Sequence, residues 1–471
     1  MKPKTVKQHR KNNELFERGL ALQRKGEFAE AGKCYLKIIA SDPKSFDALH
    51  MLGVLGYQMD NPNLSVQFLL KAIELNSNNA RVYYNLGAAL KKLNRFGDAL
   101  NCYDRAIELN KTFAEAHFNR GFILALMMQI EAALSSYETA IRLDASLIQV
   151  HWNKALVLLL KGDYENGWPL FEWGWRASQR GAVREFSQVL WTGAEGLKGK
   201  SILLHAEQGF GDTIQFCRYT QLVAELGAHV VLEVPAPLCQ LLTGLSGVAE
   251  IIEAGSALPI TDYHCPLMSL PLAFKTRLSS VPFSAAYLVA DSSKKHMWRQ
   301  RLAHVRGLKI GLVWNGGFRP NQPEVWDLNE RRNIPLAMFS QAFNAVPVNF
   351  YSLQKGDPAE SEIRGHENAF WPLKNLSNFS AELTDFSDTA ALIANLDFVI
   401  SVDTSTAHLS AALGVPTWIL NRFDHCWRWL LNREDSPWYD KVKLYRQGPE
   451  RQWEPVLVQV AKDLLALQQA T

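Results

Sequence analysis

At 471 residues, with 47% apolar and 21% charged side chains, the chain is too long for one ordinary core and too apolar to be disordered. Two or three globular domains are expected. The 50 basic and 47 acidic residues leave a net charge of +3, which gives no case for nucleic acid or another polyanion as partner. No run of about eighteen apolar residues is available to span a membrane. The basic start, Met1 to Arg10, leads into a helical pattern instead of an apolar signal core. The cysteines (Cys34, Cys102, Cys217, Cys239, Cys265 and Cys426) stand singly, with no CxxC pair to bind zinc or cycle as a redox couple. A reducing compartment is expected, and the cytoplasm is the simplest one.

After a basic tail over residues 1–13, a period of 34 dominates. Gly19, Gly53, Gly87 and Gly121 are spaced by it, and so are the small residues Ala31, Ser65, Ala99 and Ala133. Large residues follow four later, at Tyr35, Leu69, Tyr103 and Tyr137, and then Ala72, Ala106 and Ala140 in the last three copies. A small residue in one helix facing alternating small and large residues in the next is the tetratricopeptide pattern. It predicts an all-α solenoid over residues 14–178, with a degenerate last copy that starts at His151 and runs through Tyr164 to Trp168. Such arrays serve as binding surfaces. Asn85, Asn119 and Asn153 also fall 34 apart, and amides repeated along a groove can accept from and donate to an extended peptide. The plain alternative is that they meet only water. The spacing resembles the asparagine ladder in the repeats of eukaryotic O-linked N-acetylglucosamine transferases.

A linker is assigned to residues 179–199, and the periodicity then changes to short apolar runs between amphipathic helices, the mark of a parallel α/β sheet. In the segment 200–305, residues 201–206 read as a strand. The glycine loop Glu207-Gln208-Gly209-Phe210-Gly211-Asp212-Thr213 follows, then a helix through Gly227 and a strand from His229 to Val234. A glycine loop between strand and helix lets the backbone approach a ligand at the end where helix N–H groups point outward. Asp212 is either a helix N-cap or a reactive carboxylate. In the segment 306–448, residues 350–353 place Gln354 and Lys355 at a strand end. Asp388-Thr389 opens a helix, and residues 398–402 form a buried strand. Asp403, Thr404, Ser405 and Thr406 then open the helix that carries His408. Hydroxyls and backbone donors at a helix N-terminus favour an anion, so this turn is assigned to phosphate. Trp427, Trp429, Trp438 and Tyr439 either stack on a ligand or pack one lobe on another. Residues 449–471 are taken as a terminal helix, of the kind that crosses back onto the first lobe.

These units, in this order, resemble tetratricopeptide-repeat proteins with a C-terminal domain of the bacterial heptosyltransferase-like group of GT-B glycosyltransferases. The resemblance rests on Trp168, Trp173 and Trp175, on Glu207 to Thr213, and on Tyr263 to Pro271. It continues through Gly311 to Trp314, Arg331 to Leu336, Ser352 to Lys355, Val402 to His408, Trp427 to Trp429 and Asp435 to Tyr439. It implies two Rossmann-like lobes across a cleft, with the acceptor on the first lobe and a nucleotide-sugar donor on the second. It also implies Asp212 as the base that activates the acceptor, and Asp403, Thr404 and His408 facing the donor diphosphate. Heptosyltransferases carry Gly where this chain has Ser405, so the donated sugar stays open.

Glycosyl transfer needs a base, charge neutralisation for the leaving diphosphate, and in-line placement. There is no DxD motif, so no metal or other cofactor is expected, and Arg331, Arg332, Lys355, His408 and the helix end at Thr404 are the candidate counter-charges, with Trp314 on the same side. Glu207 rivals Asp212 as base, as does an acceptor activated by no protein group. Base and leaving group on opposite faces would give inversion. The expected function is protein glycosylation, with a protein or peptide held by the repeats. The alternatives are a scaffold whose transferase domain has lost turnover, and a transferase acting on a lipid-linked or polysaccharide acceptor.

Overall fold

The computed structural model describes residues 3–181, 183–317, 326–366 and 375–470. The chain divides into two compact units, Met1–Val157 and Leu158–Thr471.

The first unit is built of antiparallel helix pairs: Pro3–Arg24 with Phe28–Ser41, Phe46–Gln58 with Pro62–Leu75, Ala80–Lys92 with Phe96–Leu109, and Ala114–Leu126 with Ile130–Leu143. The 34-residue glycines set the pairing. A Cβ at Gly19, Gly87 or Gly121 would lie 2.6–2.8 Å from the ring of Tyr35, Tyr103 or Tyr137, so only glycine lets the paired helix come this close. The turns repeat as well. Gly26, Asp60, Asn94, Met128 and Gly162 all take the left-handed conformation that reverses the chain after the first helix of each copy. The first helix begins at Pro3, so residues 3–13 belong to it and form no separate tail. Proline suits a helix's first position, and the helix runs through Gly19 to Arg24, just before the turn at Gly26.

The second unit holds two parallel sheets. The first lobe contains β1 (Val189–Leu190), β2 (Ser201–His205), β3 (His229–Val234), β4 (Glu250–Glu253) and β5 (Tyr263–Pro266), in the order β1-β5-β2-β3-β4. The second contains β6 (Lys309–Val313), β7 (Asn349–Ser352), β8 (Leu376–Asn378), β9 (Phe398–Val402), β10 (Thr417–Asn421) and β11 (Val442–Arg446), in the order β11-β10-β9-β6-β7-β8. Counted from β6, this is the doubly wound order 3-2-1-4-5-6, which matches the two Rossmann-like lobes expected. All five residues of β9 and of β10 are buried, as helices on both faces of a parallel sheet require.

The compact repeat unit ends at Val157, short of the 178 assigned to the solenoid, and two more boundaries differ from the sequence reading. The segment 179–199 is no free linker: β1 pairs with β5, and Arg180 is fully buried. The terminal helix, Glu454–Ala470, places Leu457, Val460 and Leu464 in the second lobe's own core with Phe339 and Phe343, so it does not return to the first lobe. The tryptophan alternatives separate cleanly. Trp427 and Trp438 pack with Tyr164, Trp168 and Phe216, and the Trp438 indole donates to the Tyr164 hydroxyl at 2.9 Å. These rings join the lobes. Arg218, 1% exposed, threads the same seam and donates to the Trp438 carbonyl at 2.7 Å.

Candidate functional site

In a doubly wound sheet, the crevice that takes a ligand opens where the strand order reverses, at the carboxyl ends of the strands. Here that point lies between β6 and β9. The loop after β6 is held from below. Trp314 N and Asn315 N both donate to Gln354 Oε1, at 2.9 and 2.8 Å, and Gly316 N donates to Asn333 Oδ1 at 2.8 Å. Trp314 is fully buried with its indole N–H on Glu362, and Gln354 is 4% exposed. Both therefore shape the loop instead of facing a ligand, which corrects their assignment as donor contacts.

Arg332 closes the crevice from the side. Its Nη1 donates to the Asp403 carbonyl at 2.8 Å and its Nη2 to Asn329 Oδ1 at 2.5 Å. It lies flat against Gly316, where any Cβ would collide with the guanidinium. Arg331 points elsewhere, to Asp424 Oδ2 at 3.2 Å. Lys355 is exposed and donates to the Ser380 carbonyl at 2.7 Å, toward the β8 edge and apart from Asp403. Of Arg331, Arg332 and Lys355, Arg332 is the one bonded to the Asp403 turn.

The second lip follows β9. Thr404 is the extended N-cap (φ −141°) of the helix Ser405–Ala412, with its hydroxyl 3.1 Å from that of Ser401. The first N–H groups of this helix lack intrahelical acceptors, and Asp403 to Thr406 are only half-buried. His408 is 5% exposed. Its Nδ1 lies 2.9 Å from the Tyr439 hydroxyl, its Nε2 3.9 Å from Asp403 Oδ1, and its ring stacks on Trp429. Burial holds its pKa down at about 4 against the pull of Asp403. It is neutral at pH 7 and brings no charge to an anion, and its one ring hydrogen bond among those described goes to Tyr439.

The first lobe meets this lip directly. A Cβ on Gly211 would lie 3.0 Å from His408 Cδ2 and 3.3 Å from Ser405 Cα, so the glycine loop needs its glycine for close approach of the lobes. Asp212 stands third in the helix Phe210–Phe216, whose N-cap is Gly209, and it has two partners. Its Oδ2 accepts from Gly209 N at 2.9 Å, capping the helix Phe210–Phe216, while its Oδ1 accepts from Arg428 Nη2 of the other lobe. Thr213 is 1% exposed and belongs to the packing. Glu207 sits at the first lobe's own switch point, between β2 and β5. It accepts from Arg180 Nη2 at 2.5 Å and from Met268 N at 3.0 Å, and its side chain is 4% exposed. Burial pushes its pKa up to about 7 against the opposing pull of Arg180. So enclosed, it anchors Arg180 through Oε1, while its Oε2 has no hydrogen-bond partner.

Sequence reasoning missed Arg428. It is 8% exposed, donates to Gln215 Oε1 at 2.5 Å as well as to Asp212, and lies over the Trp427 ring at 4.4 Å. The Trp-Arg-Trp run was the one available signal, and it pointed to packing. Asp212 is 216 positions away, so no local pattern joins the two.

Within the repeats, the asparagines do not stand free along a groove. Asn85 Nδ2 lies 2.8 Å from His50 Nε2. Asn119, 8% exposed, donates to the Tyr84 hydroxyl at 3.1 Å and to the Glu115 carbonyl. Asn153 donates to the Gln149 carbonyl at 2.8 Å. The first two tie each repeat to the one before it, because a residue one period away lies directly alongside in a solenoid. Part of each amide's hydrogen-bonding capacity goes to that contact, so Asn85 and Asn119 serve the packing of the repeats.

Comparison with known proteins follows the same division. Residues 15–45, 46–79, 80–113 and 102–135 match the tetratricopeptide repeat. Residues 360–420 match glycosyltransferase family 9 (heptosyltransferase), a span that contains β9 and the Asp403–His408 turn. Protein FlbA of Caulobacter vibrioides is 25% identical over 318 residues, 63% of this chain, and the chain spans about half of that relative's length (52%). Solved structures similar to parts of the chain include MamA (26% identity, TM-score 0.32, 34% of this chain and 94% of that one). Another is pilF of Pseudomonas aeruginosa (23%, TM-score 0.34, 37% and 79%). No helix among the described residues is long and apolar enough to cross a membrane. The chain carries tetratricopeptide repeats followed by two parallel α/β lobes, the second of which contains the segment similar to glycosyltransferase family 9 (heptosyltransferase).

Proposed function

We propose that the protein is a glycosyltransferase that moves a sugar from a nucleotide-sugar donor to an acceptor hydroxyl, by a single inverting displacement that uses no metal. The acceptor we favour is a protein or peptide held by the repeats, which as a class are binding surfaces. The observation that carries the reading is the meeting of Asp212 from one lobe with Arg428 from the other, beside the open N-terminus of the helix Ser405–Ala412. In the proposed step the acceptor oxygen bonds to the anomeric carbon as the bond from that carbon to the diphosphate oxygen breaks. The hydroxyl proton passes to the Asp212 carboxylate, and the leaving nucleoside diphosphate keeps the electron pair. Its charge is met by Arg332 and by the N–H groups after Thr404, whose dipoles are already aligned.

A screen of UDP-, GDP-, ADP- and CMP-linked sugars, read by donor hydrolysis and binding, tests this. Arg332→Gln is expected to weaken nucleotide binding about tenfold or more, as loss of a charge-assisted contact does. Asp212→Asn should leave binding within about twofold and lower transfer about 10²-fold or more. Equal loss of binding in both variants rejects this division of roles, and product with retained anomeric configuration rejects the displacement. Transfer to a lipid-linked or polysaccharide acceptor but to no protein would keep the chemistry and overturn the acceptor. Failure of every nucleotide to bind would leave a scaffold.

A further inference from the structure

A second basic cleft lies in the same lobe, apart from Asp212 and Asp403. It has a volume of about 160 Å³ and is lined by Glu330, Arg331, Asn333, Gln447, Arg451 and Trp453. Three guanidiniums converge beside it on one carboxylate. Arg331 Nη2 is 3.2 Å from Asp424 Oδ2, while Arg451 Nη1 and Arg422 Nε are 3.0 and 3.4 Å from Asp424 Oδ1. Asp424 is 6% exposed and shares a single negative charge among the three. Glu330 adds a second carboxylate to the wall, so the group still carries an excess of positive charge. Arg451 registers that excess. Its pKa is lowered by burial despite Asp424, and Arg331 and Arg422 push the same way.

Polar capacity is also left over. Asn421 ends β10 and accepts from Gln447 N at 2.9 Å through its carbonyl, yet it is 1% exposed and neither atom of its side-chain amide has a hydrogen-bond partner. Arg331 Nε is buried without a hydrogen-bond partner. Buried donors and acceptors left open in this way cost stability unless something else fills them. Trp453, 7% exposed, supplies an apolar wall.

We infer that this cleft binds a phosphate-bearing small molecule at a site separate from the crevice between β6 and β9. A phosphate suits it, because rigid forked guanidiniums match phosphate oxygens two at a time and three guanidiniums beside two carboxylates leave positive charge uncompensated. The inference holds whatever chemistry takes place at Asp212. The two sites share an element, since Arg331 and Arg332 end the helix Trp326–Arg332 and face opposite ways.

The test uses the full chain, with inorganic phosphate as the probe and chloride at matched ionic strength as the control, read by thermal shift. Phosphate is expected to raise the melting temperature saturably where chloride does not. Arg451→Gln should weaken that apparent affinity about tenfold, the size of one charge-assisted contact. Arg451→Lys, which keeps a counter-charge for Asp424 if the Gln variant is poorly folded, should weaken it less. Arg332→Gln should leave it unchanged, and so should a saturating nucleoside diphosphate. Equal shifts from phosphate and chloride overturn the inference. Full phosphate affinity in both Arg451 variants, or loss of the response on Arg332→Gln or with nucleotide present, does so too.

Discussion

Arg428 and Asp212 form the contact on which the site reading turns, and a double-mutant cycle measures it. The side chains are 9% and 22% exposed, so the pair lies between two regimes. Exposed ion pairs give about 0.2–1 kcal/mol, while breaking a fully buried pair costs about 3–5 kcal/mol. A coupling of about 2 kcal/mol is expected at this partial burial. Arg428→Gln alone should cost more than Asp212→Asn alone, because it also removes the bond to Gln215 and the stacking on Trp427. A loss of about 2 kcal/mol in a unit of roughly 300 residues lowers its melting temperature by about 3 °C. Denaturant unfolding of wild type, both single variants and the double variant, at low and high salt, provides the cycle. Coupling below about 0.5 kcal/mol, which is the scatter for independent sites, would show that the two lobes are not joined through this pair. The claim that it organises the cleft would then fail.

Two further outcomes follow from the same geometry. Gly211→Ala places a methyl against His408 and Ser405 and should cost about 1–2 kcal/mol in equilibrium unfolding, whereas Gly97→Ala, with open space around it, should cost nothing. Equal effects would mean that the lobes are not in close contact at Gly211. Acid should destabilise the second unit through its buried histidines. Burial holds His408 at about 4 and, with His264 and Arg184 adding to it, His205 at about 3. Both are neutral when folded and bind protons more readily when unfolded. Their contribution is full above the unfolded pKa of about 6.5 and is lost as pH falls from there toward the folded values. At pH 5 the loss is about 2 kcal/mol each, and His408→Gln should remove its share of the slope between pH 7 and 5. An unchanged slope in that variant would place the acid sensitivity elsewhere.

The repeats could be read because their information is local. Each Gly–Tyr or Gly–Leu pair recurs at one spacing, and each interface involves neighbours one period apart. The strands of the second unit were legible for a similar reason, since a parallel strand covered on both faces must be an unbroken apolar run, as residues 398–402 are. Turn chemistry placed Asp403 and Asp212 at helix N-termini, and both are there. Orientation was a different matter. Arg331 and Arg332 are adjacent and chemically identical, yet one faces Asp424 and the other Asp403, because a helix turns about 100° per residue and the neighbours on each side come from distant strands. The asparagines kept the right period, but the period could not tell a groove from an inter-repeat contact.

The amino-acid order alone therefore determined which segments become helix or strand, how the repeats stack, and where two glycine- and hydroxyl-bearing turns lie. Those properties follow from periodicity and backbone preference acting over a few residues. Only the folded chain decided that Glu207 is enclosed by Arg180, that His408 is too buried to be charged, and that Arg428 crosses to Asp212. Charge state and partnership depend on desolvation and on distances between segments far apart in the chain, which no spacing along it encodes.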